Sequence, residues 1–202
     1  MFKGEIRRLS AVELELRKTF LDFSTRSAGN YSQSEMTKGA AYLVLSHAAI
    51  EEFFEGIAAN IATRSEKKFK TTGKINKVIA FIMYEYGAKK NLPSELPTKD
   101  VHSSLVFSAL GNYKRVVEAN NGIKEHNLCR LFMPLGYAFD QVDPLLLPEL
   151  DAFGSARGDL AHKSLKSKQF DPFTAQAQLE RILALLSTFE ISIDGFICTH
   201  AS

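Results

Sequence analysis

One unbroken apolar stripe constrains this chain more than any other feature. Between about residues 33 and 63, Met36, Ala40, Leu43, His47, Ile50, Phe54, Ile57 and Ile61 recur at alternating steps of four and three. That spacing lines one face of an α-helix, a seam made for packing against another helix or another subunit. The turn S-A-G-N-Y-S-Q-S before it offers Ser32 or Ser34 as a cap. His47 sits in the seam with Glu51 one turn later on the same face. Two readings of that pair stay open: a core histidine satisfied by a carboxylate, or a pair that supports function.

A second run of this kind closes the chain. Leu179, Ile182, Leu186, Phe189, Ile193 and Phe196 follow Asp171-Pro172, a cap-then-proline start, and this helix is long enough to pair with the 33–63 helix. Phe2, Ile6, Leu9, Val12, Leu16, Phe20 and Phe23 mark a third helix near the start. Shorter helices are predicted over 74–86, 100–118 (capped at Asp100) and 125–135, the last with Cys129 and Phe132 buried. Pro93, Pro97 and the 120–122 segment separate them, and 136–148 reads as irregular. No alternating pattern marks a strand. The expectation is all-α, a bundle of about six to seven helices in a single domain over 1–202. Its core helices would be about 33–63 and 145–199, with a helical insertion over about 64–144.

Charge sorts the function classes. Net charge is +2, from 25 basic and 23 acidic side chains, so any nucleic-acid surface must be local. The best patch is R-S-E-K-K-F-K-T-T-G-K-I-N-K at 64–77, with six basic residues against one acidic. It reads first as a solvated connector; as a binding patch, its Phe69 would stack a base. Cys129 and Cys198 have no metal-ligand spacing and make no disulfide framework, which fits a reducing interior. The start lacks an apolar signal core and no run reaches membrane-spanning length, so the expectation is cytoplasmic, with no membrane partner.

Several chemistries lack their residues. Gly73-Lys74 is not a P-loop, Gly154-Ser155 does not complete G-x-S-x-G, and no Glu-x-x-His pair occurs. His102, His126 and His200 have no ligand partners nearby in sequence. Neither metal nor cofactor is expected.

What remains is F-G-S-A-R-G-D-L-A-H-K-S at 153–164, on a helix predicted from about Pro148 to Ala161. Arg157 precedes His162 by five residues, a spacing of little weight alone. A cation that grips phosphate and a base that titrates near neutrality are nonetheless suited to cutting RNA. Five residues on a helix turn through about 140° and rise roughly 7.5 Å, so the two side chains do not point the same way from one intact helix. They converge on one phosphate if the helix ends near His162, or if a second copy completes the site. Gly158, one turn before His162, leaves open space on its face. Asp159 is placed to accept an imidazole N–H, or else to pair with Lys163 at i,i+4. Lys163, Lys166 and Lys168 follow as a basic loop that can add backbone affinity.

A-R-G-D-L-A-H-K-S resembles the Arg-x(4–6)-His signature of the HEPN superfamily, often written R-N-x-x-A-H. A-Y-L-V-L-S-H-A-A-I-E-E-F similarly resembles the earlier long helix of its RiboL-PSP type, where an apolar run leads into Ala49 and Glu51. Gly158 stands where many members carry Asn or Asp, and Ser164 where some carry tyrosine. The resemblance implies a metal-independent endoribonuclease, a hydrolase acting on RNA as a homodimer with a composite site. It also implies a setting in antiviral defence or a toxin–antitoxin system, with an antitoxin or defence-system partner. In that reading Arg157 and His162 are catalytic with Asp159, Gly158 and the three lysines meet substrate, and Glu51 and His47 support the site. The alternative is a non-catalytic module of the same fold that binds RNA, a nucleotide or a partner protein.

Overall fold

The computed structural model describes residues 3–27, 30–87, 99–162 and 171–201. The helices are α1 (Lys3–Phe20), α2 (Gln33–Thr72), α3 (Lys77–Tyr86), α4 (Lys99–Glu118), α5 (Glu125–Phe132), α6 (Leu146–His162) and α7 (Pro172–His200). Two 3-10 turns follow α5: Met133–Leu135, which takes the end of the helix predicted over 125–135, and Phe139–Gln141, within the stretch predicted to be irregular. No strand occurs among the described residues, so the fold is all-α as expected. The Pro93–Pro97 break, Phe2, Lys163, Ser164, Lys166 and Lys168 lie outside the described residues, as do the side chains of Asp100, His102 and His162.

The chain divides into two compact units: Met1–Phe53 with Gly122–Glu125 and Gln141–Ile191, and Phe54–Asn121 with His126–Asp140 and Ser192–Ser202. In the first, α2 starts in a reciprocal cap. The Glu35 N–H donates to Ser32 Oγ at 3.2 Å, and the Ser32 N–H donates to Glu35 Oε2 at 2.7 Å. Asp171 caps α7 as predicted, accepting from the Phe173 N–H at 3.0 Å. Leu43 and Ile50 of α2 and Leu179, Ile182, Leu186 and Phe189 of α7 are buried. The rings of Phe53 and Phe189 meet edge to face at 6.3 Å, so the seam of α2 packs within the chain here.

α1 departs from its predicted face. Leu9 is buried, but Val12 is exposed and Glu13, one position on, is buried instead. The reason is a polar tie: the buried Tyr42 hydroxyl donates to Glu13 Oε1 at 3.0 Å, and Arg17 Nε lies 3.6 Å from the same oxygen. Burial holds the Tyr42 phenol far above its ordinary pKa, so it remains a donor.

In the second unit α2 runs past the predicted end at residue 63, because Ser65 and Phe69 extend the buried line by one turn each. The basic stretch is therefore helix through Thr72, not connector. Phe69 is buried edge to face against Phe107 at 5.8 Å, which removes it as a base-stacking ring. Gly73, at φ +67°, stops the helix in the left-handed conformation, its N–H donating to the Phe69 carbonyl at 2.8 Å. Asn76 then caps α3 by accepting from the Ile79 N–H at 3.0 Å, which sets the start at Lys77 and not Lys74. α4 begins at Lys99, placing Asp100 inside its first turn. Phe132 is fully buried among Phe54, Tyr137 and Phe139 at 6.2, 5.7 and 5.5 Å, whereas Cys129 is only partly covered.

α7 corrects one expectation. Its length and an 18-residue window of mean hydropathy 1.6 suffice, by length and composition alone, to cross a membrane. One line of it, Leu179–Ile182–Leu186–Phe189–Ile193, is buried within the protein, while 28% of that window is buried in all and Ile191 is exposed.

The Glu13–Tyr42 tie gives a direct test. Tyr42→Phe leaves a buried carboxylate short of a donor and is expected to cost about 1–3 kcal/mol, lowering the melting midpoint by several degrees in calorimetry. An unchanged midpoint would show that Arg17 alone satisfies Glu13.

Candidate active site

The site belongs to the first unit, on α2 and α6. Leu146, Leu150 and Phe153 form the fully buried line of α6, at steps of four and three. The next residue on that line is Arg157, four further on. Helical geometry therefore starts its side chain on the inward face, while its head remains solvent-exposed at the end of the row.

Contacts along α6 fix this register. Arg181 grips Glu149 with two nitrogens, Nε to Oε1 at 3.1 Å and Nη2 to Oε2 at 3.4 Å. Gln178 adds a bond to the Glu149 carbonyl at 3.3 Å, so α7 holds the first turn. Asp151 accepts from the Glu125 N–H at 2.7 Å. At Gly154 a Cβ would lie 3.1 Å from Lys124 Cγ, so glycine lets the 123–124 segment come close.

The charge of Arg157 on α6 acts on His47 of α2. Burial, and secondarily the Arg157 charge, push the His47 imidazole down to about 4. His47 is therefore neutral near pH 7, with one ring nitrogen donating and the other accepting. Its Nδ1 lies 3.9 Å from Glu51 Oε2, beyond hydrogen-bond reach. With a neutral imidazole the contact is not an ion pair, because burial and the arginine outweigh the carboxylate. The simple reading of His47 as a core histidine bonded by Glu51 thus does not describe the geometry.

The remaining positions fall around this group. Gly158 is half-buried, and a Cβ there would meet nothing within 4 Å, leaving the space the sequence suggested. Asp159 is half-buried one turn before His162. α6 is described through His162, and whether it ends there, the condition under which a five-residue spacing can serve one phosphate, lies outside the described residues. The link between His47 and Arg157 was not anticipated. Its signal was available: both residues continue buried lines, Leu43–His47–Ile50 on α2 and Leu150–Phe153–Arg157 on α6. Among the described residues no group of three or more His, Cys, Asp or Glu side chains is placed to hold a metal ion.

A model of the RiboL-PSP-HEPN family matches residues 8–193, which include both α2 and the whole of α6. The chain belongs to the RiboL-PSP-HEPN family. Searches of curated proteins and of solved structures returned no match. Membership points to a ribonuclease or nucleotide-binding module and agrees with the all-α fold. In this HEPN chain Arg157 carries a permanent positive charge whose influence reaches a neutral imidazole.

The depressed His47 pKa has a thermodynamic consequence with a definite sign. Between pH 6.5 and about 4 the unfolded chain binds a proton at His47 that the folded chain does not. Stability is therefore lost as pH falls through that window. Arg157 and Glu51 are the charged groups beside it. In denaturant titrations, the wild type is expected to lose about 2 kcal/mol more than His47→Gln between pH 7 and pH 5. Equal losses would show that His47 is not held neutral.

Proposed function

We propose that this HEPN chain is a metal-independent endoribonuclease, with Arg157 and His162 as its catalytic residues. The observation that best supports this reading is Arg157 itself. It follows the buried line of α6, is exposed to solvent, and its charge contributes to lowering the His47 pKa.

The chemistry follows from the side chains. His162 takes the proton from a ribose 2′-hydroxyl, and the oxygen attacks the adjacent phosphorus. The bond from phosphorus to the 5′-oxygen breaks, and that oxygen leaves with a proton from an imidazolium. The products are a 2′,3′-cyclic phosphate and a 5′-hydroxyl. Arg157 holds the non-bridging oxygens in a two-pronged contact and stabilises their growing charge. Asp159 orients the imidazole, and neutral His47 with Glu51 limits the positions open to the Arg157 head. Gly158 admits the phosphate; Lys163, Lys166 and Lys168 add salt-sensitive backbone affinity. DNA is spared because it lacks the nucleophile.

The 140° between the two motif positions favours a homodimer in which a second copy completes each site. A cytoplasmic role in antiviral defence or a toxin–antitoxin pair, with an antitoxin or defence-system partner, suits such an activity. With RNA in EDTA, Arg157→Ala and His162→Ala are each expected to lower kcat/KM at least about 100-fold, given the usual weight of a general base or charge-stabilising group. Cleavage that survives both substitutions would refute the assignment. A folded wild type that cleaves no RNA would be a binding module instead.

A further inference from the structure

The second unit contains a charged surface that this mechanism does not use. Residues 64–77 hold six of the chain's 25 basic side chains but one of its 23 acidic ones. The other 188 residues therefore carry 19 basic against 22 acidic side chains, so the chain's positive excess lies entirely in this stretch. Because α2 is helical through Thr72, most of these cations are held at fixed angles. Lys67 projects about 180° from the mean direction of buried Ser65 and Phe69, with Lys70 and Arg64 about 120° to either side. Lys67, Lys70, Lys74 and Lys77 are exposed.

The one acid does not cancel this face. Glu66 takes Lys70 and Lys114 of α4 at 2.6 Å each, which brings another cation to the edge of the patch. Lys67, Lys68, Lys74 and Lys77 make no ion pair among the described residues. At the edge of the stretch Phe107 of α4 is 38% exposed, its ring 5.4 Å from Lys70 Nζ and braced against Phe69. Exposed, unpaired lysines spread over the outer faces of the stretch, with a half-exposed aromatic ring at its edge, match a single-stranded nucleic acid that wraps it: phosphates for the lysines, a base for the ring.

We propose that the basic end of α2, with Lys74, Lys77 and the ring of Phe107, is a second RNA-binding surface that grips the strand through phosphate contacts and one stacked base. This rests on RNA as the ligand of the chain and not on cleavage of it. Nothing in the surface reads base identity, so it supplies sequence-independent affinity.

The test separates binding from cleavage by using fluorescent oligouridine of about 20 nucleotides, methylated at every 2′-oxygen so that it lacks the nucleophile. Anisotropy titrations between about 50 and 200 mM salt compare wild type with the triple variant Lys67→Gln, Lys74→Gln, Lys77→Gln. The expected result is affinity at least about tenfold weaker at the lower salt and a log–log salt slope shallower by about 2. Phe107→Leu, which keeps apolar packing against Phe69, is expected to weaken binding about tenfold with the slope unchanged. Should the triple variant melt early, each single lysine variant is expected to shallow the slope by about 0.7. Unchanged affinity and slope in the lysine variants would overturn the proposal. So would a wild type that binds phosphatidylserine vesicles but not this RNA. Salt-sensitive binding that the triple variant loses, in a wild type that cleaves no ordinary RNA, would support this surface while refuting the nuclease.

Discussion

The buried line of α2 is the constraint on which the rest of the structure depends. Over 40 residues this helix gives Leu43, Ile50 and Phe53 to the first unit's core and Phe54, Ile57, Ile61 and Phe69 to the second's. Each large apolar side chain buried there is worth about 1.5–3 kcal/mol against exposure, while a whole domain is stable by only about 5–15 kcal/mol. A few truncations along the line would exhaust that margin. The line also sets where α2 stops, since it runs until Gly73 turns the backbone into the left-handed region.

Placing a histidine on such a line has an electrostatic consequence. A charged imidazole at His47 would have to be desolvated beside the Arg157 guanidinium, so it stays neutral. Arginine keeps its charge throughout, and its head reaches solvent. The result is a permanently positive group whose charge reaches a neutral, buried imidazole, with open space at Gly158 on the same helix. The charge of this pair changes little with pH near neutrality. A pH response of the activity near pH 7 would have to come from another group, and His162 is the one proposed.

Much of this was legible in the sequence because helix packing writes itself at steps of three and four. The α2 and α7 lines, the Ser32 and Asp171 caps and the family all follow from residue patterns. What escaped was polar or long-range. Glu13 displaces Val12 from the core because Tyr42, far away in sequence, supplies its donor. The charge of 64–77 masked a helix whose register is set by two inward residues, Ser65 and Phe69. Burial of Phe69 in turn moved the open aromatic to Phe107, on a different helix. At the site, Arg157 and His162 were chosen for their chemistry, yet the group that feels the Arg157 charge is His47, more than 100 positions earlier. No local spacing encodes that electrostatic link.

The central claim is that RNA is cut by its own 2′-hydroxyl at a site built on Arg157 and His162. The most direct measurement is the chemistry of the ends, read by mass spectrometry of fragments produced in EDTA. The account requires 2′,3′-cyclic phosphate and 5′-hydroxyl ends, absent when the 2′-oxygen at the cut is methylated. Fragments with 5′-phosphate and 3′-hydroxyl ends, or cutting that continues through a methylated position, would contradict it.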